Sequence, residues 1–118
     1  MKRKIFFVAL LAILIGTLTS CGKEELARPV LYVVNSSNYD AYVYCDNRLV
    51  TKTPSYENSG KIIMDNVSIN FPVHVKISLY DTKGNYAGEV SWSNYYFSWN
   101  TSYKITITNS KSTITEIK

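Results

Sequence analysis

The chain has 118 residues, room for one domain, and 14% of them are aromatic, ten being tyrosine. Its formal charge is +4, but Lys2, Arg3 and Lys4 account for three of the thirteen basic residues; the other ten face nine acidic ones, for a net +1, and stand singly along the chain. Nucleic-acid binding needs concentrated positive charge to release counterions, so this distribution excludes that partner class.

Lys2-Arg3-Lys4 opens the chain as a positive n-region, and Ile5 to Ile15 follows as an unbroken apolar run. At about 1.5 Å per helical residue the run spans roughly 16 Å, about half of a ~30 Å hydrocarbon core. It is too short to cross a membrane and has the length of a signal-peptide h-region, so residues 1–20 are expected to be a signal peptide. Leu18-Thr19-Ser20-Cys21 then resembles a lipobox, the processing motif of bacterial lipoproteins. That resemblance implies diacylglyceryl transfer to Cys21, cleavage before it, and acylation (palmitate-type) of its new amino group. One acyl chain holds a protein only marginally at a bilayer, whereas two or three on one cysteine anchor it stably. Gly22 stands where lipoprotein sorting reads an inner-membrane retention Asp, which points to the outer membrane. Lys23-Glu24-Glu25 is similar to the Lys-plus-acidic signals that bring lipoproteins of the Bacteroidetes to the cell surface. Residues 21–29 are expected to be the lipidated cysteine and a linker.

From residue 30 to 118 the chain reads as strands, because apolar and polar residues alternate with period 2. Val30 to Val34 alternates with apolar residues on both faces, and Asn35-Ser36-Ser37-Asn38 is a turn cluster. Tyr39 to Cys45 is a strand with Ala41, Val43 and Cys45 on one face. Asp46-Asn47 is a two-residue type I′ loop, since both residue types tolerate positive φ, and Arg48 to Thr53 returns. After a loop from Pro54 to Gly60, Lys61 to Ile69 is expected as one strand with a bulge at Asp65-Asn66. In Val73 to Tyr80, Val73, Val75, Ile77 and Leu79 point one way and His74, Lys76, Ser78 and Tyr80 the other. Asp81 to Asn85 is a hairpin loop, and Tyr86 to Trp92 returns. Tyr95 to Trp99 is short and aromatic. Tyr103, Ile105 and Ile107 alternate with Lys104, Thr106 and Thr108, Asn109-Ser110-Lys111 turns, and Ser112 to Ile117 closes the chain.

Eight or nine short strands with hairpin links predict an all-β fold, a small antiparallel β-sandwich of immunoglobulin-like or transthyretin-like type. Leu31 to Trp92 also resembles the small sandwich lipoproteins of the Bacteroidetes, in which an Asn/Ser turn precedes a Tyr-Val-Tyr strand and a tight Asp-containing hairpin. That family has no defined function and supplies no active site.

The residues offer no catalytic set. Nucleophilic catalysis needs a base beside the nucleophile, and the only histidine, His74, lies on the polar face of a strand. Zinc needs three or four convergent ligands, which one His and one free Cys cannot supply. Asp40 and Asp46 lie about 20 Å apart along one strand, too far to share a substrate, while Asp81 to Asn85 has Lys83 where a calcium ligand would stand. No enzyme, metal or cofactor is expected. Cys45 has no intramolecular partner once Cys21 is lipidated, and is read as a small core residue. One segment is a candidate for binding: Trp92, Tyr95, Tyr96 and Trp99 either fill the core or stay exposed as an aromatic platform. The expected function is a membrane-anchored, non-enzymatic module for a protein partner, with exposed strand edges as a further means of recruitment. A surface glycan-binding accessory protein using those four rings is the alternative.

Overall fold

A computed structural model describes residues 26–117. The expected signal peptide, the expected lipidation site Cys21 and the first part of the expected linker lie outside the described residues. Eight strands form: β1 (Val30–Ser36), β2 (Asp40–Cys45), β3 (Arg48–Thr53), β4 (Ile62–Ile63), β5 (Val73–Tyr80), β6 (Tyr86–Tyr95), β7 (Ser102–Thr108) and β8 (Ser112–Ile117). The alternation that makes them strands also makes each one two-faced. Leu31 and Val33 of β1, Ala41, Val43 and Cys45 of β2, Val73, Val75 and Ile77 of β5, and Tyr103, Ile105 and Ile107 of β7 are all buried in one core. Their neighbours in sequence point outward and, apart from the buried Ser78, are half-buried or exposed.

The strands build two four-stranded sheets, β4-β1-β7-β8 and β3-β2-β5-β6, whose apolar faces meet as a small β-sandwich. An immunoglobulin sandwich keeps its first strand with the second, fourth and fifth. Here β1 lies between β4 and β7, apart from β2 and β5, so the strand order is not the immunoglobulin one. One pairing departs from a purely antiparallel design: β1 runs parallel to β7, in register from Val30 opposite Ser102 to Ser36 opposite Thr108. No hairpin joins these strands, so no local sequence signal could set their direction.

The turns follow from their residues. Asp46 and Asn47 adopt φ of 48° and 66°, the left-handed pair of a type I′ loop. The Asp46 carboxylate accepts a bond from the His74 N–H, while the Asp46 N–H donates to the His74 carbonyl. At the other end of the strands, Asn35 is buried and holds three chain segments. Its amide donates to the carbonyls of Tyr39, Thr53 and Pro54, and its Oδ1 accepts from the Ser37 N–H and hydroxyl. The Asn/Ser cluster is therefore a cross-linked corner.

Two expectations are corrected. Residues 61–69 do not form one strand, since Ile62 and Ile63 pair with Leu31 and Val30 while Ile69 makes only an isolated bridge with Phe97. The chain then turns at Asp65-Asn66, burying Met64 and Val67. The cause is Arg28, whose guanidinium donates to the carbonyls of Met64, Asp65 and Val67 at 2.7–3.0 Å and thereby curls the segment around itself. For the same reason the end of the expected linker is part of the domain. Ala27 exchanges hydrogen bonds with Asn100, and the Pro29 carbonyl accepts from the Met64 N–H. In addition, β6 runs on past Trp92 to Tyr95, and Phe97 makes only an isolated parallel bridge with Ile69.

The registers place every connection at one of two ends of the sandwich. One end gathers the start of the described chain, the 46–47 loop, the 64–72 segment, residues 96–101 and the finish of β8. The other gathers residues 36–39, 54–57, 81–85 and 109–111.

Candidate functional site

The aromatic segment near the end of β6 divides by face. Trp92 lies opposite Val75 and packs on the core, as does Tyr95. Tyr95, the fully buried Phe97 and Tyr103 form a cluster of tilted and edge-to-face rings with centroids 4.9–5.9 Å apart. Burial first, then the Tyr103 phenol and the Glu116 carboxylate, push the Tyr95 pKa up. Tyr96 turns out to solvent. Trp99 is half-buried, with the Arg28 guanidinium 5.3 Å above its ring. The four candidate rings thus take different roles, and among the described residues none stacks on another of the four. They do not assemble into one platform.

A continuous aromatic surface lies elsewhere, on the outer face of the β3-β2-β5-β6 sheet. In β2 the core takes Ala41, Val43 and Cys45, so Tyr42 and Tyr44 must face out; in β5 the same logic turns Lys76 and Tyr80 outward. The registers set Lys52 beside Tyr42, Lys76 beside Tyr44, and Tyr86 beside Tyr80. Tyr42 and Tyr80 meet edge-to-face at 5.1 Å, and Tyr80 and Tyr86 at 5.7 Å. Lys52 stands over the Tyr42 ring at 5.4 Å, and Lys76 over Tyr44 at 4.9 Å. The Tyr86 hydroxyl donates to Glu89 Oε1 at 2.9 Å, and this bond holds the phenol proton and raises its pKa. The result is a ladder across all four strands, Lys52–Tyr42–Tyr80–Tyr86–Glu89, with Tyr44 and Lys76 alongside. Diagonal and opposite cross-strand pairs of this kind stabilise a sheet by about 0.2–1 kcal/mol each. They also hold large amphipathic rings in fixed positions at a solvent face, which lowers the entropy cost of using them in a contact. The signal was present in the sequence: tyrosines at alternate positions of β2, and again at the end of β5, stand on the faces that the core does not use.

The remaining candidates have defined places. Cys45 is buried, and desolvation, with a smaller contribution from the Asp46 carboxylate, pushes its pKa up to about 12, so the thiol stays protonated and is a poor nucleophile. It lies on a cavity of about 150 Å³ between the β3 and β4 edges, with Val50, Ile62, Met64 and Val67 as apolar walls and Arg48 at the rim. The Asp81 carboxylate accepts from the Lys83 and Asn85 N–H groups and from the Asn85 side chain, bonds that lower its pKa. That is the geometry of an Asx-capped hairpin turn. Among the described residues no group of three His, Cys, Asp or Glu side chains converges as a metal site, and no helix is long and apolar enough to cross a membrane.

No family model, curated protein or solved structure matches this chain.

Proposed function

We propose that the chain is a lipid-anchored protein of the bacterial envelope, held through acyl chains on Cys21, and that its sandwich is a non-enzymatic module for binding another protein. The tyrosine ladder on the outer face of the β3-β2-β5-β6 sheet carries the binding part of this reading. Tyr is enriched at protein interfaces because it brings large contact area with few torsions and a hydroxyl that can pair at the rim. Lys52, Lys76 and Glu89 border the rings with both charge signs, which suits a polar rim around an aromatic centre. The n-region, apolar run and lipobox-like Leu18-Thr19-Ser20-Cys21 support the anchoring part, and Gly22 with Lys23-Glu24-Glu25 supports an outer-membrane, surface-facing position.

Photo-crosslinking in the native envelope tests the binding part. A photoreactive residue at Tyr44 or Tyr80 is expected to give a discrete higher-mass adduct, while the same residue at Thr113, on the opposite outer face, gives none. Equal adducts at all three positions, or none at any, would overturn the assignment. Mass spectrometry of the mature protein tests the anchor: acyl mass is expected on the wild-type N-terminal cysteine and absent in Cys21→Ala.

A further inference from the structure

The large apolar residues that the sandwich leaves exposed are not spread evenly. Among the described residues Leu26, Leu49, Ile63, Phe71, Tyr96 and Ile117 lie at one end, and only Tyr56 and Tyr86 at the other. The registers fix this. Ile63 pairs with Val30 at the start of β1, and Ile117 pairs with Ser102 at the start of β7. Leu49 is the second residue of β3, opposite Tyr44 near the finish of β2. Phe71 and Tyr96 flank the Ile69–Phe97 bridge, where the Asn70 N–H also donates to the Phe97 carbonyl, so the two sit on adjoining segments. Phe71, at 67% exposure, is the most exposed of the set.

This is also the end from which the chain leads back to Cys21. Ala27 is pinned there by its paired bonds to Asn100. The six steps from Cys21 to Ala27 span at most about 21 Å even when fully extended, a length similar to that of a seven-residue strand. Resting on the proposed anchoring, the geometry points to direct seating of this end on the lipid bilayer, with Phe71 and Tyr96 entering the headgroup region beside the tether and Ile63 and Leu26 next to them. Among the described residues the charges at this end, Arg28, Asp46, Arg48, Asp65 and Glu116, are of both signs with no basic cluster, so the contact is apolar rather than electrostatic. Aromatic rings favour this interfacial depth. Acyl chains alone would hold the domain at the membrane in any orientation; an apolar end beside them selects one, strands upright, with Tyr80 and Tyr86 on the side of the molecule remote from the lipid.

Nitroxide scanning of the mature lipoprotein in phosphatidylethanolamine–phosphatidylglycerol vesicles tests this. Phe71→Cys, Tyr96→Cys, Tyr56→Cys and Tyr86→Cys each add an exposed thiol, and buried Cys45 does not compete for the label. Vesicle flotation comes first: wild type and all four variants are expected to float and Cys21→Ala to stay at the bottom. Labels at 71 and 96 are then expected to gain oxygen accessibility and lose at least about half of their accessibility to a water-soluble nickel complex. Labels at 56 and 86 are expected to stay unchanged. Flotation with labels at 71 and 96 as water-accessible as those at 56 and 86 overturns the seating alone. Flotation of Cys21→Ala equal to wild type, or failure of wild type to float, overturns the anchoring and the seating together.

Discussion

Single side chains settle much of this structure because they are buried with their polar atoms paired. Asn35 bonds both neighbours of its own turn and the far end of β3, five bonds from one amide. Removing it takes the acceptor from the buried Ser37 N–H and a donor from the buried Thr53 carbonyl, and a buried polar group left unpaired costs about 1–3 kcal/mol. Asn35→Ala is therefore expected to lower stability by about 3 kcal/mol in urea denaturation. The Thr53 hydroxyl shows the opposite case, since it is buried with no hydrogen-bond partner among the described residues. Thr53→Val removes that unmet group at nearly constant shape and is expected to leave stability unchanged or raise it by about 1 kcal/mol. Cys45 supplies a pH dependence. Its folded pKa is about 12 against an ordinary 9.0, so in the window between them the unfolded chain gives up the proton first and stability falls as pH rises. The urea midpoint of wild type is expected to drop more from pH 8 to pH 10 than that of Cys45→Ala. The difference between the two isolates the thiol from the tyrosines and lysines that titrate in the same range.

Element boundaries were readable in most strands that pair with a sequence neighbour, although β6 runs past its expected end at Trp92. β3, β5 and β8 match the alternating runs residue for residue, and the 46–47 loop has the conformation that Asp-Asn implies. Reading failed between residues 61 and 72, where a side chain distant in sequence sets the backbone. The run Lys61 to Ile69 looks like a strand because its apolar residues are spaced like one. Yet the carbonyls of Met64, Asp65 and Val67 bond Arg28 instead of a neighbouring strand. Arg28 can serve three acceptors because its guanidinium presents several donors in a fixed plane, while it also lies over Trp99. Lysine offers one point of charge and no fork. Arg28→Lys is expected to cost about 2 kcal/mol and to speed amide hydrogen exchange selectively in 64–70, with β5 unaffected. Uniform acceleration across the domain would show that Arg28 does not specifically organise this segment. The binding candidates follow the same division. Burial of Cys45 was legible from its position beside Ala41 and Val43. The aromatic segment was conspicuous by composition, but which rings turn inward depends on where Ile69 and Tyr103 come to lie. The tyrosine ladder needed the pairing of β2 with β5 before separate outward tyrosines became one surface.

At the scale of the whole molecule the central fact is that β1 is an inner strand of its sheet, flanked by β4 and β7. Its pairing with β7 joins residues 30–36 to residues 102–108, so that sheet cannot close until nearly the whole domain is present. Each such contact requires a long loop to be ordered before any burial compensates it. β2-β3, β5-β6 and β7-β8 are local hairpins and can form early, but each leaves an apolar face exposed until the two sheets meet. All-β domains with this share of distant pairings fold in about milliseconds to seconds. Refolding of the domain is accordingly expected to be single-exponential on that timescale. Val33→Ala in β1 is expected to slow refolding less than it speeds unfolding, because β1 docks after the hairpins. Stopped-flow fluorescence of Trp92, which packs on the core from the opposite sheet, follows both limbs. Microsecond refolding, or a Val33→Ala effect confined to the refolding limb, would mean that the β1–β7 pair forms first and that the order of assembly is the reverse.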